Sequence, residues 1–157
     1  MAGLIIGSDD YQDVTTFARW SDFNGHGSTD TKIMKWSDED ISATNSTVVT
    51  VSQSAANGLK VTANMNCFLF IHVSTDWNSG SYFGFSKNSN QLTTGITSIT
   101  HAHVMMYNYT TTIHVNNEAS WSGPMASGDI VRPHSSGTAE GGNPTRSYIS
   151  VFAIKKQ

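Results

Sequence analysis

The stretch LKVTANMNCFLFIHVS, residues 59–74, limits what this chain can fold into more than any other part of it. Leu59, Val61, Ala63, Met65, Cys67, Leu69, Ile71 and Val73 share one parity, while Lys60, Thr62, Asn64 and Asn66 hold the other. A period of two marks a strand with one buried face, whereas a helix would scatter these residues around a cylinder. At Phe68 and Phe70 the second parity turns apolar as well. Something must cover that face there, either a second sheet or another subunit. Sixteen residues are long for one strand, so a bend near Asn64–Asn66 is expected.

Elsewhere the same texture recurs in shorter pieces. TKIMKW (31–36), STVVTVSQ (46–53), YFGF (82–85), DIVRPH (129–134) and SYISVFAI (147–154) read as strands. Residues 96–115 read as a strand pair with a break near Asn108–Tyr109. KNSN (87–90) and SGPMASGD (122–129) are turn clusters. Pro133 should end its strand or hold it at a sheet edge, because proline has no N–H to give to a ladder. The best helix signal, SDDYQDVTTFARW (8–20), is β-branched in the middle and suits an extended arm equally well. Ser, Thr and Asn make up about a third of the chain, a composition that favours strands and turns. The prediction is an all-β chain of about eight to ten antiparallel strands, a sandwich or barrel. Its 157 residues suit one folded unit: an N-terminal arm over residues 1–30 and a β-sandwich domain over residues 31–157.

Charge narrows the function classes. Charged residues are 13% of the chain against a typical ~25%. The nine Lys and Arg are scattered and the net charge is −3. Duplex nucleic acid needs clustered cations to release counterions, so no nucleic-acid partner is expected. No stretch is long and apolar enough to span a membrane as a helix, and MAGLIIGSDD lacks the cationic start of a signal peptide. A complete soluble protein in a reducing compartment is expected. The single cysteine, Cys67, lies in an apolar strand and reads as a small buried side chain, not a nucleophile.

Few residues suggest chemistry. His101 and His103 in HAH would point the same way on a strand, as metal ligands must, and His72, His114 or His134 could join them. The cupins, which are jelly-roll metalloenzymes, need a Glu about four residues past such a pair, where this chain has Tyr107. Plain polar strand residues explain HAH as well, so no metal or cofactor is assigned. DFNGHGSTDT (22–31) is rich in oxygen donors but lacks the regular acidic spacing of a calcium loop. No Gly-x-Ser-x-Gly elbow and no phosphate loop occur, and no enzymatic activity is expected. Trp77 in STDWNSGS and Trp121 in EASWSGP lie in loop-like contexts and are candidate ligand-binding aromatics.

Taken together, NGLKVTANMNCFLFIHVST, YFGFSKNSNQL, WSGPMASGDIVRP and SYISVFAIK resemble the jelly-roll head of the complement and tumour-necrosis-factor superfamily. The resemblance covers roughly residues 57–155. It implies a jelly-roll β-sandwich whose C-terminal strand is central, beside the first. Tyr148, Ser150, Phe152 and Ile154 would then share one face, with Ile149, Val151 and Ala153 on the other. Heads of this kind are usually homotrimers, which makes Phe68, Phe70, Tyr148, Phe152 and Ile154 the expected trimer interface. Small uncharged jelly rolls also resemble virion proteins of tailed phages. The function expected is that of a trimeric capsid decoration or cement protein. It would bind the major capsid protein of an assembled shell and reside in the virion after assembly in the host cytoplasm. The alternative is a glycan- or receptor-binding head of a phage tail fibre; a cupin-like metal-dependent enzyme comes third.

Overall fold

The long alternating run is two strands on opposite sheets. In the computed structural model, which describes residues 15–76, 80–110, 116–137 and 147–156, the strands are β1 (Thr15–His26), β2 (Met34–Ile41), β3 (Val49–Ser54), β4 (Gly58–Ala63), β5 (Cys67–Asp76), β6 (Tyr82–Lys87), β7 (Val104–Tyr109), β8 (Asn116–Met125), β9 (Ile130–Ser135) and β10 (Tyr148–Lys155). The first sheet runs β2-β1-β10-β5-β8 and the second β3-β4-β9-β6-β7. All their pairings are antiparallel. The chain changes sheet after β2, β4, β5, β7, β8 and β9, the winding of a jelly-roll sandwich.

Asn64, Met65 and Asn66 carry the chain from β4 across to β5. Three residues preserve parity, so the same odd-numbered positions face the core from both sheets. Leu59, Val61 and Ala63 press inward from one side and Cys67, Leu69, Ile71 and Val73 from the other, all buried. Burying one such aliphatic side chain contributes about 1.5–3 kcal/mol. The two asparagines hold the crossing. Asn64 Nδ2 donates to Ser46 O (2.5 Å) and Thr50 Oγ1 (2.8 Å), and Asn66 Oδ1 accepts from Ser127 N (3.0 Å). Burial also pushes the Cys67 thiol up from its ordinary value, in keeping with an inert core side chain.

The last strand is central, flanked by β1 and β5. Ile149, Val151 and Ala153 are fully buried, and the other parity looks outward. Two turn clusters meet at one end of the second sheet. Asp129 Oδ2 pairs with Lys87 Nζ (2.6 Å) and accepts from Ala126 N (2.8 Å), while Asp129 Oδ1 accepts from Asn88 Nδ2 (2.7 Å). Asn88 closes the clasp through Oδ1, which accepts from Ile130 N at 2.7 Å. Gly128 sits at φ +90° with nothing within 4 Å of a would-be Cβ, so its backbone conformation alone calls for glycine.

Several segments differ from the sequence expectation. Residues 15–26, expected within an arm or a helix, form β1, because Thr16, Ala18 and Trp20 alternate into the core and β10 offers a ladder from Thr15↔Ile154 to Ser21↔Tyr148. Residues 1–14 lie outside the described residues. Residues 96–103 are not a strand. Ile96 and Ile99 are buried in a loop pinned by Gln91, whose Oε1 accepts from Thr100 N at 2.7 Å, and His101–His103 form one 3₁₀ turn. Pro133 neither ends β9 nor puts it on an edge, since β9 lies between β4 and β6. Its missing N–H falls in a gap: the β4 ladder stops at Val131, and the next link on that side is the bridge from His134 to Ile33. Pairing on the other side continues through Phe85↔Pro133.

Candidate functional site

The outer face of the first sheet is built from the residues whose parity points away from the core. Phe17 on β1, Phe152 on β10 and Phe70 on β5 lie in one register row. Phe68 and Ile154 form the next pair along. Phe68, Phe70 and Ile154 expose 41%, 43% and 38% of their surface. The rings touch one another, with centroids 5.1 Å apart for Phe68–Phe70 and 5.9 Å for Phe70–Phe152. Such a stripe costs free energy in water, and the fold supplies no described residues above it to explain it.

Beside the stripe the face becomes polar. His72 on β5 hydrogen bonds through Nδ1 with Ser120 Oγ (2.7 Å) and through Nε2 with the Tyr148 hydroxyl (3.2 Å). The Arg19 guanidinium lies 4.6 Å over the Tyr148 ring and its Nε reaches Asp40 Oδ2 at 3.3 Å. Between apolar and polar halves lies a cavity of about 320 Å³, lined by Phe70, His72, Ser120, Trp121, Ser122, Ser150 and Phe152 among others. All five residues expected at a subunit interface thus sit on this one face: Phe68, Phe70, Phe152 and Ile154 in the apolar stripe, and Tyr148 at its polar margin. Phe17 and Arg19 belong to it too. Sequence reasoning missed them because residues 1–30 were assigned to an arm; the alternation of Thr15, Phe17 and Arg19 against Thr16, Ala18 and Trp20 was the available signal.

The other candidates separate. Trp121 stands in strand β8, not in a loop; its indole lies over Gly123, where a Cβ would come within 2.6 Å of the ring. Trp77 lies outside the described residues, as does His114. His101 and His103 do not share a strand face, and two positions along a 3₁₀ turn point apart. His101 is exposed, while His103 Nδ1 donates to Lys87 O at 2.9 Å. Among the described residues no three His, Cys, Asp or Glu side chains come together as a metal-binding set.

Two further histidines, the buried His134 and the half-buried His26, pack against serines in a way that engages both partners. His134 Nε2 donates to Thr94 O (2.7 Å), which leaves Nδ1 to accept from Ser86 Oγ (3.0 Å). His26 Nε2 meets Ser135 Oγ at 2.7 Å, and that hydroxyl donates to Gly137 O at 3.0 Å. Ser86 and Ser135 are buried, so these pairs stitch the second sheet to its covering loops. Burial, followed by Lys32, His134 and Lys35, holds His26 down to about 4, and burial foremost lowers His134 as well.

The architecture has relatives among solved structures. Pika GITRL aligns with 92% of this chain and 99% of its own at a TM-score of 0.53 and 10% identity. The Eiger TNF of S. frugiperda aligns with 92% of this chain and 95% of its own at 0.53 and 8% identity. Murine APRIL aligns with 89% of this chain and 98% of its own at 0.50 and 11% identity. No family model and no curated protein matches the sequence. At these identities the likeness is one of fold: a jelly-roll β-sandwich, as in those three structures.

Proposed function

We propose that this chain is a non-enzymatic, homotrimeric jelly-roll head and that the trimer serves as a structural virion component. The observation that carries the trimer is the aromatic stripe on a central sheet face, with Phe68 and Phe70 exposed, Phe152 half-buried against them and the exposed Ile154 beside it. A cyclic trimer buries such a surface once per subunit and closes, with no sticky end left over. The desolvated aromatic contacts are the kind that dominate interface energetics. The finer reading is a decoration or cement protein located in the phage virion. It would clamp neighbouring copies of the major capsid protein, and binding the assembled shell alone stabilises that shell by mass action. The uncharged Ser/Thr/Asn-rich surface and the lack of any basic run support a particle exterior over a nucleic-acid role.

Light scattering tests the trimer: a mass near three times the 17.0 kDa chain is expected, and a monomer at micromolar concentration would sink it. Co-sedimentation with filled phage shells, set against unassembled capsid protein, tests the virion role. Binding to shells only is the expected result; a trimer that ignores shells fails that role while leaving the trimer standing. A receptor-binding head on the same trimer is the second reading, favoured by a polar cavity on the opposite sheet.

A further inference from the structure

The outer face of the second sheet sets two cations side by side. The β4–β9 ladder ends at Val61↔Val131, and the next residues of the two strands, Lys60 and Arg132, line one cavity together just beyond it. Ser52 lies across from Lys60 and Ser86 across from Arg132. Like charges directly opposed on a sheet are destabilising. Two other strand cations are paired, Arg19 with Asp40 and Lys87 with Asp129. Among the described residues neither Lys60 nor Arg132 has a carboxylate within ion-pair distance. The Arg132 guanidinium, half-buried, donates one long hydrogen bond among the described residues, from Nη1 to Ser89 O at 3.5 Å. Burial lowers its pKa, and the Asp30 carboxylate offsets only part of that.

Both cations line a cavity of about 250 Å³ together with Asp30, Ser52, Ser54 and Asn57. Its size is near the lower limit for small-molecule sites (~300–1,000 Å³), enough for one ring and not for an oligomer. Its charge is specific too. Two cations face one carboxylate, Asp30, which leaves a single positive charge unmet. That balance fits a monoanion, and the planar fork of arginine fits a carboxylate in two-point contact. Among the described residues neither the Ser52 hydroxyl nor the Asn57 side-chain amide has a hydrogen-bond partner, so both are open to neutral hydroxyl partners.

We propose that this cavity binds the carboxylate of a single acidic sugar residue, gripped by Arg132 and Lys60, with Ser52 and Asn57 meeting the ring hydroxyls. The site lies on the sheet opposite the aromatic stripe, so it stays open whether or not the trimer forms, and its failure leaves the trimer proposal untouched.

Titration of the ¹⁵N-labelled full chain with glucuronate, N-acetylneuraminate, glucose and inorganic phosphate is the test. At least one of the acidic sugars should give saturable shifts at Ser52, Asn57, Lys60 and Arg132, and glucose should bind at least about tenfold more weakly for want of the charge. Arg132→Gln should weaken that sugar about tenfold and Lys60→Gln, a milder change at a half-exposed position, roughly threefold. An unaltered melting temperature identifies each variant as folded. The proposal is overturned if neither acidic sugar binds, if glucose binds as well as either, if phosphate binds more tightly than both, or if both folded variants bind like the parent.

Discussion

The two sheets use their inner faces alike and their outer faces in opposite ways. Inside, Leu69, Ile71 and Val151 meet Leu59, Val61 and Val131 in one continuous core. Outside, the first sheet shows touching aromatic rings. Around Ser52, Lys60 and Arg132 the second shows hydroxyls and two cations that share one carboxylate, Asp30. The alternation that builds a strand says only which residues leave the core. What those residues are decides whether the face meets another subunit or a dissolved ligand. Tyr82, Tyr107 and Tyr109 complicate the second face, since they cluster there with Tyr82 and Tyr109 ring centroids 4.6 Å apart.

The largest expected effect breaks the comparison outright. Phe70→Asp should convert a trimer to a monomer, read by light scattering, because it buries an unpaired charge at a desolvated contact. Tyr107→Asp on the other sheet should leave the mass unchanged. If the two variants exchange behaviours, the faces have been assigned the wrong way round.

Acid comes next. Unfolded histidine titrates near 6.5, whereas His26 is held to about 4 and His134 is lowered in the same direction. The folded state therefore keeps neutral imidazoles that the unfolded chain would protonate. Stability should be intact above pH 6.5 and fall as the pH drops toward 4, by up to about 1.4 kcal/mol per unit for His26, with His134 adding a loss of the same sign. Denaturant melts at pH 7 and pH 5 measure this. Hydrogen exchange should show β9 and β6, bonded through His134 and Ser86, loosening before β5 and β10.

A smaller loss follows from Asp129→Ala, which removes the Lys87 bridge and the bonds to Asn88 and Ala126 N. About 1–3 kcal/mol is expected by chemical denaturation, with Asp129→Asn recovering part of it. Here the sign of the pKa change agrees: although desolvation works the other way, the hydrogen bonds from Lys87, Asn88 and Ala126 hold the Asp129 carboxyl below its usual range. The smallest effect contrasts the two arginines. Arg19→Gln, which loses the Tyr148 stack and Asp40, should cost about 1 kcal/mol. Arg132→Gln should fall within about 0.5 kcal/mol of the parent or slightly above it, because it relieves Lys60.

Sequence alone conveyed the fold wherever alternation was long. Residues 59–74 and 147–154 announced buried and outward parities that the structure keeps, and the Lys-Asn and Gly-Asp turns turned out to be two halves of one clasp. It failed where tertiary contacts override local pattern. Ile96 and Ile99 look like strand residues but anchor a loop, and Pro133 looks like a terminator but rests in a gap of the ladder. The polar cavity was invisible for a different reason. Lys60 and Arg132 are 72 positions apart, and only the sheet order places them together.

The central position of β10 has a consequence for how the protein is made. Among the described strands β1 comes first in the chain, yet one of its ladder partners, like one partner of β5, is supplied by residues 148–155, the last of them. Until the ribosome has released them, the first sheet is split between two open edges, β1 with β2 on one side and β5 with β8 on the other. Exposed edges of that kind recruit other strands. The first sheet is therefore completed only once residues 148–155 have joined it, and a chain interrupted before Tyr148 is a candidate for chaperone capture or aggregation, not a shortened version of the native protein.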